Sequence, residues 1–157
     1  MALEAGKKAP AFTGEIQDGS KISLKDFKGK WVILYFYPKD NTSGCTREAQ
    51  DFRDFMDKFE AMDAVVIGVS PDSAKSHTNF IAKHNLNFNL IADKEKVILN
   101  KYDAMGEKKM YGRTYMGVIR STYIIDPNGK IKYVFSPVKV KGHVEEVLDK
   151  LKELQNA

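Results

Sequence analysis

The run Tyr35-Phe36-Tyr37-Pro38-Lys39-Asp40-Asn41-Thr42-Ser43-Gly44-Cys45-Thr46-Arg47-Glu48-Ala49 decides how this chain folds, and it holds the only cysteine in 157 residues. Residues 31–37 form an apolar, β-forming stretch that stops at Pro38. Polar loop residues follow, and from Cys45 onward the pattern takes a helical period. This predicts a strand, a loop and a helix. Ala49, Phe52, Phe55, Met56 and Phe59 recur at steps of three and four, so they share one face of that helix, with Cys45 in its first turn. Unpaired backbone N–H groups and the positive end of the helix dipole favour a thiolate at that position. The spacing points to a nucleophile before it points to a reaction.

Downstream, residues 64–69 read as a second buried strand. Strand, helix and strand in this order imply a parallel pair with a right-handed crossover over one helix at residues 43–62. Upstream, residues 11–16 and 21–24 flank Gln17-Asp18-Gly19-Ser20 and predict a hairpin, with a turn over 24–30. Beyond the second strand, Asp72 or Ser73 can cap a helix running to about His84, with Phe80 and Ile81 turned inward. A short strand at 89–91, a helix at 94–102 and a loop or irregular extension over 103–117 come next. Residues 118–125 and 130–135 predict a hairpin around Asp126-Pro127-Asn128-Gly129. A last helix begins near Gly142, its face set by Val144, Val147, Leu148, Leu151 and Leu154. No repeat, low-complexity tract or linker divides residues 1–157, so a single domain is expected. The element order predicts an α/β, thioredoxin-like fold: a central mixed sheet, helices on both faces and an N-terminal β-hairpin.

The 25 basic and 21 acidic side chains leave a net charge of +4, with lysines spread among acids over the whole length. That is a solvated surface rather than a nucleic-acid face. The first residues lack an apolar signal core, and no run approaches the roughly 20 apolar residues that span a bilayer, so a soluble, cytoplasmic protein is expected. One cysteine cannot form an internal disulfide or a cysteine-based zinc site. His77 and His84 lie seven apart without carboxylate companions at metal-site spacing, and His143 opens the last helix; no metal is expected.

A useful thiolate needs a counter-charge, a hydrogen bond and a path for an electrophile. Thr42, three residues before Cys45, can bring its hydroxyl to the sulfur or to whatever the sulfur attacks, and Pro38 can wall the site. The cation must come from elsewhere. Arg120, in Gly117-Val118-Ile119-Arg120-Ser121-Thr122-Tyr123-Ile124-Ile125-Asp126, stands among β-formers and can either form a surface ion pair or reach Cys45 from a neighbouring part of the sheet.

Pro38, Thr42 and Cys45 in the spacing Pro-x-x-x-Thr-x-x-Cys resemble the active-site signature of peroxiredoxins, and Arg120 in Arg-Ser-Thr-Tyr-Ile-Ile-Asp resembles that family's downstream arginine. Residues 37–42, Gly44-Cys45-Thr46, Glu48-Ala49, Gly68-Val69-Ser70, Asp72-Ser73, Ser76-His77 and Gly142-His143 are similar to the bacterioferritin comigratory protein, or PrxQ, branch. The resemblance implies a thiol peroxidase without a cofactor. In it, Cys45 attacks hydrogen peroxide or an organic hydroperoxide and becomes a sulfenic acid, while Thr42, Arg120 and the N–H groups of the helix start act as donors. It also implies that Glu48 orients active-site groups, the alternative being a solvated or ion-paired helix residue. Many members of the branch carry a resolving cysteine five residues after the first, where this chain has Gln50; others carry it on the following helix, where it has Ile81. The one-cysteine form is therefore expected, recycled by an external thiol: thioredoxin, glutaredoxin or a small thiol. Ser43 stands where proline is usual. Met105, Met110 and Met116 with Tyr111 and Tyr115 are expected to pack within the long loop, or else to form a rim for an alkyl hydroperoxide or a homodimer contact. Two rival readings are a Cys–His hydrolase, which needs a histidine against Cys45, and a thioredoxin-like binding or chaperone module with a structural cysteine.

Overall fold

The computed structural model describes residues 2–157. The apolar stretch forms β3 (Trp31–Phe36), and the pleat sends its side chains alternately to two faces. Ile33, Tyr35 and the following Tyr37 enter one core, whereas Val32, Leu34 and Phe36 enter the other. Burial on both faces is why no polar residue interrupts the run. On one side β3 pairs in parallel with β4 (Ala64–Ser70), which pairs in parallel with β5 (Asn89–Ala92). On the other side β8 (Ser121–Ile125) is antiparallel to β3 and forms a hairpin with β9 (Ile131–Phe135). The hairpin of β1 (Thr13–Ile16) and β2 (Lys21–Ser23) joins through β1 to β5, giving the order β2-β1-β5-β4-β3-β8-β9. This is the expected thioredoxin-like mixed sheet.

The first core lies under α1 (Ser43–Asp54), α2 (Met56–Ala61), α3 (Ala74–His84) and α5 (His143–Gln155). The second holds Ala9 and Phe12 of the N-terminal segment and Ile98 and Leu99 of α4 (Val97–Lys101). Among the described residues no helix is long and apolar enough to cross a membrane.

Four elements differ from the sequence reading. The single helix over 43–62 is two, because the chain turns at Phe55 (φ −101°, ψ 7°), whose N–H reaches back to Phe52 O as well as Asp51 O. That turn keeps Phe52, Met56 and Phe59 in the same core. The helix placed at 94–102 begins only at Val97: Lys96 has φ +59°, and the Asp93 carboxylate takes the Leu99 N–H at 2.8 Å, so the intervening residues form a turn. The stretch 103–117 is no loop. It forms β6 (Met105–Met110) and β7 (Arg113–Val118), a two-stranded sheet apart from the main one. Its strands are mostly exposed and carry Glu107, Lys108, Lys109 and Arg113, so no apolar alternation marks them. The turn at Tyr111-Gly112 puts both residues at positive φ, which tyrosine rarely adopts. Finally, the strand placed at 118–125 is broken between Val118 and Ser121, which frees Arg120 from the β3 ladder.

Packing inside a loop is likewise not what the methionines and tyrosines do: Met110, Tyr111, Tyr115 and Met116 are exposed, and Met105 alone of the set packs against a core.

Gly68 sits opposite Tyr35 on β3 and Leu90 on β5, and a Cβ there would lie 2.8 Å from the Tyr35 ring and 2.7 Å from Leu90 Cδ2. The missing side chain gives the Tyr35 ring its place, stacked on Phe52 of α1 with centroids 4.6 Å apart. Gly68→Ala is therefore expected to destabilise the fold by about 1–3 kcal/mol, measured as a lower urea midpoint at unchanged slope.

Candidate active site

The chain leaves β3 at Phe36, passes Pro38, which is half-buried, and enters α1 through Thr42. Thr42 holds the N-cap position in extended conformation, and its carbonyl accepts the Thr46 N–H at 2.9 Å. Its hydroxyl does not cap the helix; it donates to Lys39 O at 2.8 Å. The donor expected from Thr42 is thus committed to the loop, and what its oxygen retains is acceptor capacity.

Cys45 is the third residue of α1 and only 1% exposed. The Arg120 guanidinium comes from the gap between β7 and β8. Its Nη2 donates to Cys45 Sγ at 3.0 Å and its Nη1 to Glu48 Oε1 at 3.0 Å. One planar fork therefore holds two residues a helical turn apart. Gly44 makes this approach possible, since a Cβ there would lie 2.9 Å from Nη2. Of the two readings of Arg120, the structure has the one beside the thiol.

Glu48 is buried, ion-paired and only half satisfied: Oε1 meets Arg120, whereas Oε2 and the nearby Tyr35 hydroxyl are buried without a hydrogen-bond partner among the described residues. Burial pushes the Glu48 carboxyl up to about 8. The Arg120 charge and hydrogen bond pull against that rise, and Asp51 adds to it.

Lys108 of β6 was missed by the sequence reading. Burial and then the Arg120 cation hold its ammonium below the ordinary value, with Cys45 opposing, which places this lysine within electrostatic reach of the thiol. The stretch offered no signal for it, because its strands had no pattern. A Cys–His hydrolase lacks its base here. His77 faces Asp40, His84 faces Gln50 at 3.4 Å, and His143 is buried against Thr122 Oγ1 at 2.8 Å, where burial lowers it to about 4.

The AhpC/TSA family model matches residues 5–134. A putative peroxiredoxin bcp of Helicobacter pylori strain J99 is 49% identical over 149 residues, covering 95% of this chain and 98% of that protein. Peroxiredoxin Bcp of Bacillus subtilis is 47% identical over 154 residues, covering 98% of both. Among solved structures, Xanthomonas campestris bacterioferritin comigratory protein, described for its alkyl peroxide reduction activity, superposes with a TM-score of 0.90 at 37% identity, over 96% of this chain and 98% of that one. A cysteine-to-serine mutant of Xylella fastidiosa PrxQ reaches 0.94 at 36% identity, over 99% of both. Fold and likeness together define the class, a thiol peroxidase on a thioredoxin-like sheet. The chain belongs to the AhpC/TSA family, as a peroxiredoxin of the Bcp branch with a single cysteine.

Glu48 makes its mark on stability. Its group is raised in the folded chain from an ordinary 4.5 to about 8, so the stability it contributes is fully present below about pH 4.5 and is lost as pH rises through about 8. Glu48→Gln removes that loss. Melting curves taken across this range are expected to show wild type falling relative to the variant as pH rises; parallel curves would contradict the raised carboxyl.

Proposed function

We propose that Cys45 is the peroxidatic nucleophile and that Pro38, Thr42, Arg120 and Glu48 build its site. The observation that carries this reading is the 3.0 Å contact from Arg120 Nη2 to Cys45 Sγ at the start of α1. The thiolate attacks one oxygen of hydrogen peroxide or an alkyl hydroperoxide. The S–O bond forms as the O–O bond breaks, the sulfur gives up two electrons, and the departing oxide takes a proton from water as hydroxide or alkoxide. The transferred oxygen keeps its hydrogen, leaving Cys45 as sulfenic acid.

The parts divide this work. Negative charge moves from sulfur to the departing oxygen, so Arg120, already within reach, follows the charge with little reorganisation. Thr42, its proton spent on Lys39 O, accepts a hydrogen bond from the O–H of the attacked oxygen and so orients it. Pro38, with no N–H, walls the approach. Glu48 anchors the other half of the guanidinium and fixes its plane. The exposed Met110, Tyr115 and Met116, on the same hairpin as Lys108, supply apolar surface for an alkyl group, a reading supported by the alkyl peroxide reduction described for the Xanthomonas relative.

With no second cysteine in the sequence, the sulfenic acid is released by an external thiol: thioredoxin, glutaredoxin or a small thiol. A first thiol forms a mixed disulfide and expels water, and a second displaces Cys45.

Peroxide consumption with a thiol reductant is the direct test. Wild type is expected to consume peroxide and gain one oxygen by intact mass, and Cys45→Ser to do neither; equal activity in both would sink the reading. Arg120→Met is expected to slow peroxide reaction by roughly a hundredfold, as loss of one charge-stabilising donor does. Gly44→Ala gives a finer check. Alanine favours a helix over glycine by about 1 kcal/mol, so the fold is kept, yet its methyl pushes the guanidinium off the sulfur and the peroxide rate falls.

A further inference from the structure

The loop that carries Pro38 and Thr42 is fastened by its own buried carboxylate, whose hydrogen-bond partners include neither Cys45 nor Arg120. Asp40 is 5% exposed and its polar groups are taken up. Its N–H donates to Asp72 Oδ2 at 2.8 Å, and its Oδ1 accepts the Tyr37 hydroxyl at 2.6 Å. Its Oδ2 accepts the Ser76 hydroxyl at 2.8 Å and meets His77 Nδ1 at 2.7 Å. His77, wholly buried on α3, turns Nε2 to the Ile91 carbonyl of β5 at 3.0 Å. One ring nitrogen faces the carboxylate and the other a backbone carbonyl, with the Tyr37 hydroxyl 3.4 Å from Nδ1 and the Ser70 hydroxyl 3.5 Å from Nε2, so the ring is held from both sides. Asp72 is steadied in turn by the Ser70 hydroxyl at the end of β4, at 2.8 Å. The loop, two strand ends and α3 converge on one group.

Asp40, Asp72 and His77 also bring possible ligand atoms within 4.8 Å of one another. A metal does not suit them: each imidazole nitrogen already has a partner, the Asp40 oxygens are filled by the Tyr37 and Ser76 hydroxyls and the ring, and Asp72 Oδ2 takes the Asp40 N–H and the Ser70 hydroxyl. Nor is bulk stability the reason for the pair, since apolar residues of the same shape commonly stabilise as well or better. What such a pair supplies is a fixed geometry.

We infer that the buried Asp40–His77 pair is a positioning unit for peroxide reduction: it locks residues 37–42 to α3 and the strand ends so that Pro38 and Thr42 stand at the mouth of Cys45. It acts through the loop and leaves the sulfur to Arg120.

The inference rests on the peroxidase reading of Cys45, and one pair of rates separates the two. Reaction of Cys45 in the full chain is followed with hydrogen peroxide and, in parallel, with iodoacetamide, which needs a thiolate but no oriented loop. Asp40→Asn is expected to lower the peroxide rate by about tenfold to a hundredfold, the scale of an ångström-sized misplacement, with the iodoacetamide rate held within about twofold. Tyr37→Phe removes a single hydroxyl from the same carboxylate; it is expected to lower the peroxide rate by about two- to fivefold and decides the matter should Asp40→Asn not fold. Wild-type spectra are expected to hold an exchange-protected His77 Nδ1–H resonance, which disappears in Asp40→Asn. An unchanged ratio of the two rates in the folded variants, or a wild-type His77 without a protected Nδ1 proton, overturns the positioning role. A wild-type Cys45 that reacts with peroxide no faster than a free thiol overturns the peroxidase reading instead.

Discussion

The guanidinium of Arg120 touches Cys45 Sγ and Glu48 Oε1 at 3.0 Å each, and several otherwise odd features of the chain exist to permit that double contact. The strand expected to run unbroken into β8 is interrupted at Ile119 and Arg120. Ile119 N–H goes to Ala104 O, and Arg120 O takes the Val138 N–H, so each residue keeps a backbone partner while the Arg120 side chain turns toward α1. Glycine stands inside the first turn of α1, where helix propensity disfavours it, because any Cβ would strike the guanidinium. A glutamate is buried at a cost in solvation, and its one hydrogen bond is to the second prong of the same fork.

Two carboxylates flank the site, and their surroundings give them different characters. Asp40 receives a tyrosine hydroxyl on one oxygen and a serine hydroxyl and the His77 ring on the other, so neither oxygen is left without a partner. Glu48 receives one donor, keeps Oε2 unpaired and is pushed up to about 8. The first ties the loop to its neighbours, and the second sits beside a cation with its carboxyl pushed up by burial. Their places differ: Asp40 belongs to the loop that it ties to α3, and Glu48 lies beside the cation that faces the thiol.

Much of this was legible in the chain because it rests on burial. The run through β3, the helical face from Ala49 to Phe59 and the Asp126–Gly129 turn follow from apolar period and turn chemistry, and they sufficed for the sheet and for the position of Cys45. The β6–β7 hairpin was not legible. Its strands bury little, and its turn relies on a tyrosine at φ +52°, so neither pattern nor propensity marks it. With it went Lys108. The direction of the Thr42 proton was also beyond reach, because one hydroxyl can cap, donate to a loop carbonyl or face a ligand from the same sequence position. Asp40 and His77 illustrate a different limit. The fragments Tyr37 to Thr42, Ser70, Asp72 and Ser76-His77 resembled the family one by one, but their shared chemistry exists only where the parallel β3–β4 crossover brings residues more than thirty apart together.

Thr42 withholds its hydroxyl from the N–H groups of α1, and a helix start without a side-chain cap is easier to open by about 1 kcal/mol. The sulfur is nearly sealed from solvent in the first turn of that helix, so the least firmly held stretch of α1 is also the one that carries the thiol.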